Sequence, residues 1–75
     1  MNLASSFKEA RKLSGINQDE ACAVIGCSQP TFSVKEQNPG EFRLSEVKEL
    51  LASLNEKGAG LLLSSIDEFL RPEYK

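Results

Sequence analysis

Cys22 and Cys27 carry the chain's most reactive side chains, and their company limits what they can do. They stand five residues apart, and the sequence contains no histidine. Two thiolates without a nearby His or a further Cys do not fill a tetrahedral zinc shell, and the spacing is not the Cys-x-x-Cys of a redox pair. Both read as small core hydrophobes, and we expect no metal site and no cofactor. Enzymatic chemistry is poorly supplied too. No nucleophile has an evident base, no glycine-rich phosphate loop is present, and no carboxylates converge from separate elements. Asp67 and Glu68 are neighbours on a terminal segment and read as a solvated face, so no catalytic residue is assigned. A different chemistry is open to the run Gln29-Pro30-Thr31-Phe32-Ser33-Val34 and on to Gln37. Its amides, hydroxyls and methyl groups suit recognition of another surface rather than turnover.

The elements that would position this run can be read on either side of it. Asn17 caps a helix from Gln18 to Ile25, and Glu20 three residues later reaches back to the Asn17 amide, which makes a capping box. Gly26 supplies the left-handed residue that ends this helix, and Cys27 turns inward. Ser28 caps the next helix, Gln29 to about Gln37. Pro30 is tolerated there because first-turn amides have no intrahelical partner. The small residues Ala21 and Cys22 let the two helices cross closely. Helix, three-residue turn and helix make a helix-turn-helix over about 18–37, a motif whose second helix enters a DNA major groove.

On such a motif the exposed start of the second helix meets base edges, here with Gln29, Pro30, Thr31, Ser33, Val34 and Gln37. The Gln29 amide can pair with adenine N6 and N7, while Pro30, the Thr31 methyl and Val34 can pack on thymine methyl groups. No Arg or Lys lies on the first turn, so the surface suits half-sites containing A·T pairs. Phosphate contacts are expected from Gln18, Ser28, Asn38, Arg43 and Lys35, the last of which is also placed to snorkel.

These residues resemble the phage repressor/Cro-type (Xre-like) helix-turn-helix family, from about Phe7 to Leu54. Gln18 stands where family members begin the first motif helix, Cys22 at the helix crossing and Gly26 in the turn. Cys27 stands at the apolar plug of the turn and Phe32 at the core position of the second helix. The run from Pro30 to Glu36, followed by Glu41-Phe42-Arg43-Leu44-Ser45-Glu46, looks like a variant common in Gram-positive bacteria and their phages. The resemblance implies buried positions for both cysteines. It also implies a partly buried structural ion pair between Arg11 and Glu36, clasping the first helix to the end of the third.

Size and composition set the frame. Seventy-five residues imply one domain, 1–75, and 40% apolar with 27% charged residues is ordinary for a globular protein. No apolar run is long enough to span a bilayer and no signal-peptide pattern opens the chain, so a cytoplasmic location in a bacterial host cell is expected. The charge is less usual for a DNA-binding domain, with nine Lys plus Arg against eleven Asp plus Glu. Residues 1–40 balance Lys8, Arg11, Lys12 and Lys35 against Glu9, Asp19, Glu20 and Glu36. The net negative charge therefore lies in 41–75, away from the reading helix. Weak phosphate attraction implies modest affinity for a single subunit.

The remaining elements complete an all-α, compact five-helix reading: four core helices plus a C-terminal segment. A first helix spans Leu3 to Leu13, with Leu3, Phe7, Ala10 and Leu13 at helical spacing, Asn2 as cap and Gly15 as stop. Asn38-Pro39-Gly40 breaks the chain, Glu41 to Leu44 form a loop, and Phe42 folds back as a plug. Ser45 is expected to cap a fourth helix from Glu46 to about Glu56, ending at Gly58. The last segment, about 59–70, is either a single fifth helix or an extended stretch followed by a short helix opened by Ser65 and Glu68. The family resemblance favours helix. Phe7, Leu13, Ile25, Phe32, Val47 and Leu50 are expected to fill the core. Leu61, Leu62, Leu63, Ile66, Phe69 and Leu70 then either cap that core or face a second subunit, and the excess favours an interface.

Two functions from different classes fit. One is a regulator that binds double-stranded operator DNA as a homodimer. The other is a protein-binding helix-turn-helix module that engages a repressor or a toxin. The complete motif and Gln29 favour the first; neutral charge and apolar Pro30 and Val34 favour the second.

Overall fold

A computed structural model describes residues 2–71. Five α-helices follow one another: α1 (Leu3–Leu13), α2 (Gln18–Ile25), α3 (Gln29–Gln37), α4 (Leu44–Ser53) and α5 (Glu56–Leu70), with a short 3-10 turn at Pro39–Glu41. The described residues are all-α and contain no strand.

The first three helices begin and end where local chemistry sets them. Asn2 accepts from the Ser5 amide at 2.8 Å, and Asn17 accepts from the Glu20 amide at 2.8 Å while Glu20 accepts from the Asn17 amide at 3.1 Å. Ser28 caps α3 through the Thr31 amide. Gly15 and Gly26 follow α1 and α2 at φ of +69° and +74°, a conformation that a Cβ would strain.

The core gathers Phe7, Ala10, Ala21, Cys22, Phe32, Phe42, Leu50 and Leu62. Phe42 is its keystone from the loop. Its ring stacks on Phe7 at 4.9 Å between centroids and meets Phe32 edge-on at 5.8 Å, so the α3–α4 connection is fixed by aromatic contacts to two helices. Leu13, expected in the core, is 47% exposed at the end of α1.

Beyond Phe42 the chain departs from its sequence reading. α4 starts at Leu44, two residues before the expected Glu46, because Glu46 accepts from the Arg43 amide at 2.9 Å and so caps the helix in place of Ser45. It ends at Ser53. Asn55 then caps α5 through the Gly58 amide, while its own amide donates to Ser14 Oγ and its side chain to the Leu13 carbonyl. Gly58 does not stop a helix; it lies inside α5, where a Cβ would come within 2.6 Å of the Ala10 carbonyl oxygen. The absent side chain lets α5 pack against α1, which is its main neighbour. The terminal segment is thus one continuous helix starting five residues earlier than Leu61. Ser65 does not open a helix but hydrogen-bonds the buried Ser6 hydroxyl across the α1–α5 seam. No helix among the described residues is long and apolar enough to cross a membrane.

Candidate functional site

The capped turn Gly26–Ser28 turns α2 into α3 and leaves one side of α3 facing outward. Phe32 and Glu36 point into the protein at 1% and 5% exposure, while Gln29, Pro30, Thr31, Val34 and Gln37 are exposed and Ser33 is half-buried. The expected reading residues therefore share one continuous outer face.

That face is anchored by a chain of hydrogen bonds from the interior. Arg11 on α1 donates to Glu36 twice, Nε to Oε2 at 2.9 Å and Nη2 to Oε1 at 3.1 Å, and its Nη1 donates to the Ile16 carbonyl at 3.0 Å. Gln18 Nε2 donates to Glu36 Oε1 at 3.1 Å, and Gln29 Nε2 donates to Gln18 Oε1 at 2.7 Å. The direction of this chain follows from its first member. A carboxylate only accepts, so Gln18 must turn its NH2 towards Glu36 and its oxygen towards Gln29. Gln29 is then held by one N–H, leaving its Oε1 and its second N–H for an outside partner. Those two groups match adenine N6 and N7. The Arg11–Glu36 pair expected from sequence is present, and it reaches the outer face through Gln18.

The other expected phosphate contacts are less uniform. Ser28 Oγ is occupied as a cap and also donates to Thr31 Oγ1 at 2.9 Å, so both hydroxyls are engaged with each other at the start of α3. Asn38 Nδ2 folds back on the Val34 carbonyl at 3.4 Å, whereas Arg43 is exposed. Lys35 is committed within the protein. Its Nζ donates to both oxygens of Glu46, at 2.8 and 2.9 Å, with both side chains more than four-fifths buried. The Arg43 amide, and after it Lys35, hold the Glu46 carboxyl below its usual range. Burial, with Cys22 nearby, pushes the Cys27 thiol up, and both cysteines are free.

Two open clefts flank α3. One, of about 190 Å³, is lined by Ala4, Ser5, Lys8, Gln18, Glu36 and Gln37. The other, of about 350 Å³, is lined by Pro30, Thr31, Val34, Lys35 and Glu41. Lys8 enters the sequence reading only through the charge balance, although its place three residues before Arg11 puts both on one side of α1. Leu44 was also missed; it is 87% exposed at the first position of α4.

The six terminal apolar residues divide. Leu62 is a fully buried core residue, because the face of α5 that carries Gly58 and Ser65 also carries Leu62 onto α1. Leu61 and Ile66 pack partly against the same core. Leu63, Phe69 and Leu70 are 53%, 65% and 66% exposed, so only these three present a largely open apolar surface.

Comparison with models of known families, with curated proteins and with solved structures finds no match to the chain.

Proposed function

We propose that the chain is a sequence-specific DNA-binding transcriptional regulator of phage or mobile-element type. It is repressor/Cro-like in the sense of the sequence resemblance, binds operator DNA as a homodimer in the bacterial cytoplasm, and acts by occluding a promoter. The observation that carries this reading is the outer face of α3, with Gln29 oriented through Gln18 by the buried Glu36. Orienting an amide in advance costs conformational freedom, and it is useful where that amide must meet a base edge in one geometry. The exposed Leu63, Phe69 and Leu70 on α5 support a second copy.

The test is selection from a pool of randomised duplexes by the purified protein, read by sequencing and confirmed by gel shift. Enrichment of a palindrome with A·T pairs in each half-site, at fixed half-site spacing, is expected of a dimer reading through α3. No enrichment and no shifted duplex at low salt would contradict it.

One observation favours a second reading, a protein-binding module acting on a partner repressor or toxin. Val34 and Leu44 are 57% and 87% exposed and apolar, and the α3 first turn has no cation. That reading takes over if α3 fails to shift any duplex yet is protected from labelling by a protein partner.

A further inference from the structure

We propose that Lys8, with Gln18 and Gln37, forms the seat of a backbone phosphate of the bound duplex, at the α1 side of α3. The inference rests on the DNA-binding reading above and adds to it the place where one strand of the duplex is held. It also moves Gln37 from base reading to backbone contact.

The cleft between the start of α1 and the end of α3 has the features such a seat needs. Ala4 and Ser5 are small and leave it open, and its volume of about 190 Å³ accommodates a phosphate group. Its floor is Glu36, whose negative charge is matched by the bidentate Arg11 guanidinium. The floor is therefore close to neutral rather than repellent. In the two clefts that flank α3, Lys8 is the one cation without an ion-pair partner among the described residues, since Lys35 is held by Glu46. Gln18 uses one N–H on Glu36, which leaves its second for the cleft, and Gln37 is exposed at its rim. One ammonium-bearing and two amide-bearing side chains thus line a cleft whose buried carboxylate is already balanced.

That donor set selects the class of anion. A phosphodiester carries a single negative charge, which one lysine offsets. A dianionic phosphate monoester would leave a charge unmatched above Glu36. A diester also fits the position, because a contact here fixes how deep and in what register α3 sits, while Gln29 reads the base.

The experiment compares wild type with Lys8→Gln, Gln37→Ala and Lys57→Gln on the duplex that the wild type selects, titrated at several salt concentrations. Lys57 is an exposed lysine at the start of α5 that does not line the cleft, so its variant makes the same change in net charge outside it. Lys8→Gln is expected to lower the slope of log affinity against log salt by about 0.9 per bound subunit. Its base preferences should stay unchanged, and Lys57→Gln should leave the slope alone. Gln37→Ala is expected to weaken all single-base variants of the duplex alike. An unchanged slope in Lys8→Gln overturns the seat while leaving DNA binding standing, and so does a loss confined to one base pair in either cleft variant. Failure of the wild type to bind any duplex overturns the DNA-binding reading itself, and the seat with it.

Discussion

On one side of α3, Gln18 and Gln37 border a polar cleft that reaches down to Glu36 of the buried ion pair; on the other, Pro30, Thr31 and Val34 border an apolar cleft whose lysine is already committed to Glu46. The polar side is connected to the interior. Each step from Arg11 to Gln29 is a hydrogen bond of 3.1 Å or less, so the outermost amide inherits its orientation from a residue 5% exposed. On the apolar side Lys35 is tied to Glu46 and Thr31 to Ser28, but Pro30 and Val34 are exposed and are held out only by helix geometry. An oriented amide discriminates between hydrogen-bonding patterns, whereas exposed methyl groups discriminate by shape and by exclusion of water. DNA reading draws on the first side and tolerates the second. A protein partner would draw mainly on the second.

The comparison is broken most severely at its root. Glu36→Ala strands the Arg11 guanidinium in a largely buried site and removes the acceptor that orients Gln18. Stability to urea is expected to fall by about 3–5 kcal/mol, which approaches the whole stability of a domain this small. An unchanged unfolding midpoint would show that the ion pair holds neither the helices nor the amides.

The apolar side should respond weakly and differently. Val34→Ala removes two methyl groups from a side chain that is 57% exposed, so stability should change by under about 0.5 kcal/mol. Affinity for the selected duplex should fall by about 1 kcal/mol, confined to a thymine-containing position. A loss spread over every sequence variant would place Val34 outside base contact.

The smallest effect concerns the salt bridge behind that side. Because the folded state lowers the Glu46 carboxyl, its contribution to stability is present above the ordinary glutamate value of about 4.3 and is lost as pH falls through the lowered folded value. Glu46→Gln should therefore flatten the acid limb of the stability profile below about pH 4.3. Parallel acid limbs for variant and wild type would contradict this.

How much of this was legible in the sequence depended on how local each determinant was. Asn2, Asn17, Glu20, Gly26 and Ser28 act within four residues of their own positions, and α1, α2 and α3 fall where those residues set them. Gly58 misled for the opposite reason. A glycine after an apolar stripe looks like a stop, but its lack of a side chain is needed for contact with Ala10, 48 positions earlier. The true boundary residue, Asn55, caps α5 locally through the Gly58 amide but is also held by Leu13 and Ser14, more than forty positions earlier. The outer residues of α3 were readable from the motif. The link from Glu36 through Gln18 to Gln29 was not, because it joins two separate helices. Lys35 looked available for phosphate, and only the fold brings Glu46 to it.

The claim that Gln29 reads a base is tested most directly by titrating wild type and Gln29→Ala against the selected duplex and a set of variants changed one base pair at a time. The account predicts that Gln29→Ala loses about 1–3 kcal/mol on the selected duplex and loses preference at a single A·T position per half-site, with discrimination elsewhere intact. Equal losses on every variant, with preference at that position preserved, would contradict it.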